Sequence, residues 1–155
     1  MMVAIAYGKR VVLRVPYTKM DGPFFAQFIK DHFRMAFARA GPKHSRRRIF
    51  IMDNCPCQTS KVAMKALEHI EAEMHVIPPR SPDLNPIENI FHIVKKELEG
   101  EAIRKHITVE SFDEFEKRIT NVLDNISVEC IDRTIDSMRR RINSVITCKG
   151  YQIKY

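Results

Sequence analysis

Two acidic residues, Asp53 and Glu88, stand where a fold could bring them together. Asp53 follows the apolar run at 49–52, which is typical of a strand that delivers its last residue to the edge of a sheet. Glu88 is the third residue of a helix that begins after Asn85, with Pro86 at its first position. Carboxylates are ligands that Mg²⁺ prefers. Two such ions can clamp the attacking and leaving oxygens of a phosphodiester, so a converging pair of this kind is a candidate site for a divalent metal ion.

Each carboxylate also has a structural alternative that the spacing leaves open. Asp53 precedes a Pro-containing segment and could cap the turn that follows. Glu88 lies three residues after Asn85, the distance at which a glutamate returns to bond the backbone N–H of the N-cap residue. Residues around the pair are assigned to structural support, because turn and capping residues hold a helix start in place: Asn54, Pro82, Asp83, Asn85 and Pro86.

The two segments resemble the catalytic half of a Tc/mariner-type DDE transposase. The resemblance is carried by residues 53–59, Asp-Asn-Cys-Pro-Cys-Gln-Thr, and by residues 77–89, Ile-Pro-Pro-Arg-Ser-Pro-Asp-Leu-Asn-Pro-Ile-Glu-Asn. The 34 residues between Asp53 and Glu88 also match the spacing of the family's second and third acidic residues. The resemblance implies that both bind Mg²⁺ or Mn²⁺ and act in DNA cleavage and strand transfer. Gln58 departs from the family, since many relatives have His there, which puts an acid–base role at this position in doubt.

The resemblance further implies an α/β, ribonuclease H-like fold that lacks its first strand and is followed by C-terminal helices. In that fold the first strand is central, and we expect its place between the strand of Val11 and the strand of Asp53. Asp21 and Asp31 are the only acids before Asp53, and neither ends a predicted strand, so the family's first catalytic Asp has no counterpart. We therefore expect an N-terminally truncated domain that binds metal weakly and does not cut DNA alone.

The pattern of apolar residues predicts the elements that would position the site. Strands are expected near residues 3–7, 11–15, 49–52 and 74–77, with helices between them and two amphipathic helices beyond Gly100. We interpret residues 1–155 as one partial DDE domain, with the sheet and its flanking helices in 1–100 and a helical extension in 101–155. The sequence has no apolar run of about 18 residues, so no membrane partner is expected. The motifs point to no small-molecule cofactor.

Charge is unevenly distributed along the chain. The net charge is +7, and residues 1–50 hold eleven Lys or Arg residues against two acids. A basic half favours a polyanion partner, which we take to be DNA, although a basic surface can also simply be solvated. The candidate phosphate contacts are a basic segment just before the strand of Asp53 and two residues beyond Glu88 on the same helix: Arg46, Arg47, Arg48, His92 and Lys95.

Three functions remain open at the level of the sequence. The first is transposition-related DNA cleavage, with other transposase subunits as further partners and a nuclear location implied by that function. The second is a DNA-binding remnant without catalysis, for which salt-dependent binding without cleavage is the diagnostic observation. The third is a protein that binds an intact transposase through its C-terminal helices.

Overall fold

A computed structural model describes residues 1–42, 48–53 and 55–151. The strands and helices follow the predicted order, with short 3₁₀ and π-helical segments in addition. The strands are β1 (Met2–Ile5), β2 (Val11–Val15), β3 (Arg48–Met52) and β4 (Ala72–Val76). The helices are α1 (Gly22–Phe28), α2 (Arg34–Ala40), α3 (Lys61–His69), α4 (Pro86–Arg104), α5 (Phe112–Asn125) and α6 (Val128–Thr147). A π-helical segment (Ile29–Phe33) joins α1 to α2, and a 3₁₀ segment (Pro82–Leu84) precedes α4.

Serine hydroxyls begin three of the helices, as the sequence predicts. Ser60 caps α3, Ser111 caps α5 and Ser127 caps α6, each accepting a hydrogen bond from a backbone N–H in the first turn. The Glu114 side chain bonds back to the N–H of Ser111, which completes the predicted capping box of α5. Among the described residues, no helix combines the length and the apolarity that crossing a membrane requires.

The four strands form two separate pairs in the part of the chain that the structure describes. β1 and β2 are antiparallel, with Met2 opposite Val15 and Ile5 opposite Val11. β3 and β4 are parallel, and their register runs from Arg48 opposite Ala72 to Met52 opposite Val76. Parallel pairing across α3 is the usual result of a strand–helix–strand unit.

A cavity of about 540 Å³ lies between the two strand pairs. Residues 1–7, which include all of β1, line one side, and residues 49–53 of β3 and its end line the other. Phe37 of α2 and Phe91 of α4 also contribute to its walls. The sequence-based expectation placed the gap beside the strand of Val11, and this was wrong: β1 is the neighbour, because β2 pairs with β1 on its far side.

The strand that ends at Asp53 is only half covered, whereas the sequence suggested a buried strand. Phe50 and Met52 pack into the core, but Ile49 is 64% and Ile51 is 45% exposed. These two isoleucines point away from the covered face, because successive side chains of a strand alternate between its sides. The apolar run therefore reflects two apolar faces, of which the described chain covers one.

Two hydrophobic cores lie on opposite sides of the β1–β2 pair. The first joins α1, the π-helical segment, α2 and α3 around Phe25, Ile29 and Leu67. The second joins α4, α5 and α6 around Ile90, Leu123 and Ile131. β1 serves both, since Met2 and Ala4 pack against the first core while Met1, Val3 and Ile5 pack against the second.

Candidate active site

Asp53 lies directly after β3 with an exposed side chain, at the mouth of the cavity. Its carboxylate accepts a hydrogen bond of 2.7 Å from the side-chain amide of Asn85, measured from Nδ2 to Oδ1. Asn85 is only 4% exposed, so its amide needs a partner inside the protein. The bond joins the end of β3 to the start of α4 and fixes the direction in which Asp53 points.

Glu88 lies in the first turn of α4 and is partly buried. Burial raises the pKa of the Glu88 carboxyl, and the negative charge of Asp53 raises it further. Asp53 and Glu88 thus lie at the end of β3 and in the first turn of α4, the two places that the Asn85–Asp53 hydrogen bond joins.

Among the described residues, backbone N–H groups that the two capping alternatives could have used have other partners. The N–H of Asn85, which Glu88 would have bonded, donates to the Pro82 carbonyl oxygen. In the turn after Asp53, the N–H groups of Gln58 and Thr59 donate to the Cys55 carbonyl oxygen. The Gln58 side chain accepts from the N–H of Cys55, which gives it a structural role within the turn.

Asn85 has a different role from the one that the sequence indicated. It occupies the N-cap position of α4, as expected, but its side chain makes no capping hydrogen bond. The side chain instead turns to Asp53. The helix start is defined by Pro86 at its first position and by the 3₁₀ segment, in which Asp83 is buried. Of the other supporting residues, Asn54 lies outside the described part of the chain.

The sequence analysis missed Arg141 of α6. It is the last of three consecutive arginines at 139–141, a pattern typical of a solvated helix face, yet Arg141 is 6% exposed. Its Nη1 donates to the Asp83 carbonyl oxygen at 3.4 Å and to the Asn89 side-chain oxygen at 2.5 Å. The helical spacing from the buried residues Ile131 and Thr134 was the signal that could have placed Arg141 on the inner face.

The donor set fits a hard divalent cation. Both side chains offer carboxylate oxygens, and a bound cation would offset the negative charge of Asp53, which adds to burial in raising the pKa of Glu88. Within residues 1–42, 48–53 and 55–151, no group of three or more acidic, His or Cys side chains is arranged to hold a metal. Asp53 and Glu88 are therefore a pair in the described structure.

The predicted phosphate contacts have different environments. Arg48 donates to the carbonyl oxygens of Gly41 at 2.8 Å and Pro42 at 3.1 Å, so its guanidinium holds a loop, and its contact with phosphate stays a prediction. Arg46 and Arg47 lie outside the described residues. His92 and Lys95 are exposed on α4 beyond Glu88, and Lys95 lies 3.9 Å from Glu99. Such an exposed pair is weak and leaves the lysine available.

Solved structures with the same architecture define the class of fold. The chain superimposes on the catalytic domain of Mos1 mariner transposase with a TM-score of 0.74 and 22% identity, over 94% of this chain and 72% of that one. It also matches the Mos1 mariner paired end complex with Mn, with a TM-score of 0.75 and 21% identity, over 94% of this chain and 42% of that one. The fold is ribonuclease H-like, with α/β elements and C-terminal helices, as predicted.

Sequence comparison defines the family within that class. Residues 1–113 match the DDE superfamily endonuclease family. The Tcb2 transposase of Caenorhabditis briggsae and the Tc1 transposase of Caenorhabditis elegans are each 34% identical over 107 residues, which is 69% of this chain and 37% of those proteins. The chain belongs to the DDE superfamily endonucleases, in the Tc/mariner branch, and spans less than half the length of these curated relatives.

Proposed function

We propose that this chain supplies two of the metal-binding carboxylates, Asp53 and Glu88, of a transposase catalytic domain that cleaves DNA and transfers its strands. The convergence of the two acids carries the proposal. A 2.7 Å hydrogen bond from Asn85 fixes the end of β3 against the start of α4, where Glu88 lies. The family is one of DNA endonucleases, which makes phosphodiester chemistry the natural use of this pair.

The cation we propose is Mg²⁺ or Mn²⁺. Solved structures of the Mos1 transposase include one with Mg and one with Mn, which supports divalent metal use in relatives of this fold. When bound, a divalent ion activates water and offsets charge on the phosphate. Asn85 would orient the Asp53 carboxylate through its hydrogen bond, and Glu88 would offer a partly buried carboxylate from the first turn of α4.

The described chain is expected to bind the metal weakly and to be inactive alone. Two carboxylates hold a divalent ion less firmly than a larger set, and loss of one ligand lowers the rate by orders of magnitude. The described residues leave an open cavity beside Asp53, and the family resemblance places the first catalytic Asp on a strand at the centre of the sheet.

DNA is the proposed partner, and it would approach the exposed side of α4 beside the acidic pair. His92 and Lys95 lie there, one and two turns beyond Glu88. Arg46 and Arg47 precede β3 in the sequence and remain candidates for phosphate contact. A nuclear location and contacts with other transposase subunits follow only if the transposition role is correct.

Metal titration combined with a nicking assay tests the proposal. Wild-type chain, Asp53→Asn and Glu88→Gln are titrated with Mn²⁺, and each is incubated with supercoiled DNA. We expect weak Mn²⁺ binding by the wild type that either substitution abolishes, and no nicking by any of the three. Mn²⁺ binding that neither substitution changes would overturn the assignment of the site. Nicking by the wild type that Asp53→Asn removes would show that two carboxylates suffice.

A further inference from the structure

Arg141 is a buried arginine in a chain whose other basic residues are mostly at the surface. It is 6% exposed and comes from α6, far along the sequence from the acidic pair. Moving a guanidinium out of water is costly unless the protein returns hydrogen bonds or an opposite charge. The buried position of Arg141 therefore reflects specific contacts. Two of them are with residues 83–89, the segment that leads into α4 and contains Glu88.

Two contacts of Arg141 lie on either side of Asn85 and Glu88 in the sequence. Its Nη1 donates to the carbonyl oxygen of Asp83 in the 3₁₀ segment and to the side-chain oxygen of Asn89 in α4. Between these two points the chain makes the turn into α4. The guanidinium thus holds both ends of the segment 83–89. Asn85 lies within this segment and hydrogen-bonds the Asp53 carboxylate, so the position of the segment also affects the direction of that carboxylate.

We propose that Arg141 is a positioning residue, which holds residues 83–89 so that Glu88 and the Asn85-bound Asp53 face a shared cation. The inference rests on the proposed function, and it adds a residue of the last helix to the site. Its role is indirect, since these two hydrogen bonds of Arg141 go to Asp83 and Asn89, which flank Asn85 and Glu88, and not to the two carboxylates. Outer contacts of this kind typically change metal affinity by about 10- to 100-fold when they are removed.

Arg118 provides a matched comparison within the same molecule. It is also a largely buried arginine, with 15% of its side chain exposed, and it lies on α5. It pairs with Glu110 at 3.3 Å and donates to the Leu98 carbonyl oxygen of α4 at 3.3 Å. Leu98 lies ten residues beyond Glu88, or about 15 Å along the helix. Loss of Arg118 should weaken the fold without disturbing the acidic pair.

The test compares Arg141→Met with Arg118→Met in the full 155-residue chain, with Arg141→Lys as a variant that keeps the charge. The midpoint of urea unfolding gives stability, and Mn²⁺ titration followed by electron paramagnetic resonance gives the dissociation constant. Both methionine variants should lose stability. Only Arg141→Met should raise the Mn²⁺ dissociation constant, by about tenfold or more. Arg141→Lys should restore part of the affinity.

Hydrogen exchange of peptides covering 82–92 provides a readout that does not require metal. Arg141→Met should increase exchange there, while Arg118→Met should increase it only around its own contacts. If the wild type binds no Mn²⁺, the proposed cation site is wrong, and the exchange result still decides the role of Arg141. Equal exchange at 82–92 in both methionine variants, or an equal change in Mn²⁺ affinity, would overturn the inference. If Arg141→Met does not fold, Arg141→Lys is judged by the same two measurements.

Discussion

The hydrogen bond between Asn85 and Asp53 should contribute measurably to stability. Asn85 is 4% exposed, and its amide donates to a carboxylate at 2.7 Å. A hydrogen bond to a charged group is worth about 1.5–3 kcal/mol, and a buried amide left without its partner costs about 1–3 kcal/mol. Because Asp53 itself is exposed, we expect the lower part of that range. Asn85→Ala should reduce the free energy of unfolding by about 2 kcal/mol.

A double-mutant cycle with Asn85→Ala and Asp53→Ala isolates the bond from other effects. The Asn85 side chain makes no capping bond to α4, so the cycle is not contaminated by loss of a helix cap. Repulsion between Asp53 and Glu88 depends on the residue at position 53 and is the same with Asn or Ala at position 85. It therefore cancels from the coupling energy. Urea unfolding of the four proteins should give a coupling energy of about 1–2 kcal/mol.

The matched control is the pair Arg104 and Glu97, which lies at the same distance of 2.7 Å but in solvent. Their side chains are 62% and 55% exposed, and pairs of this kind contribute about 0.2–1 kcal/mol. The Asn85–Asp53 coupling should exceed that of the control pair. If the two couplings are equal, burial does not strengthen the bond, and our account of how Asp53 is oriented is wrong.

Three further predictions concern charge and activity. Glu88→Gln should raise the free energy of unfolding at pH 8 and not at pH 4. Because the pKa of Glu88 is raised in the folded state, the stability that its protonated form contributes at low pH is lost as the pH rises through the folded-state pKa, whereas Gln stays neutral at both values. Replacing Arg46 and Arg47 with Ala should weaken binding to all duplex sequences and reduce the salt slope by roughly 0.9 log units per lost contact, as titration at several salt concentrations would measure. A chain extended N-terminally by a strand ending in Asp should be more soluble and should nick DNA with Mn²⁺, and Glu88→Gln should abolish that nicking.

Each of these predictions has an internal control. The pKa of Glu129 is lowered by hydrogen bonds to its backbone and to Ser127, so Glu129→Gln should change stability in the opposite direction to Glu88→Gln at pH 8. Arg139 and Arg140 are exposed on α6. Replacing both with Ala removes the same charge as replacing Arg46 and Arg47, but it should reduce the salt slope of DNA binding by less. For the extended chain, an Asn in place of the new Asp should restore solubility but not nicking. The opposite result in any control would refute the corresponding prediction.

The parts of this site that follow from local sequence were predictable. A run of apolar residues ending in Asp53 indicates a strand tip, and Asn85 followed by Pro86 indicates a helix start. Serine caps at the starts of α3, α5 and α6 are local in the same sense, since a cap depends on residues within one turn. Family resemblance then connected the two acids, which periodicity alone could not do.

Contacts between distant elements were not predictable from local patterns. The turn of the Asn85 side chain toward Asp53 depends on how α4 packs against the end of β3. The burial of Arg141 depends on α6 lying against the 3₁₀ segment. Arg48 was predicted to contact phosphate, and its hydrogen bonds to the carbonyl groups at 41 and 42 were not anticipated. In each case a polar side chain has a hydrogen-bond partner that sequence spacing does not indicate.

The second core has a consequence for where the autonomous folding unit ends. The match to the family stops at residue 113, just after the start of α5 at Phe112. A protein cut at that boundary would lose Val122, Leu123 and Ile131, and Ile90 and Val94 of α4 would keep only part of their cover, from residues such as Val3 of β1. The helix that carries Glu88 would then lack much of its apolar support. The family match therefore ends before the second core does, and α5 and α6 complete the core against which the helix of Glu88 packs.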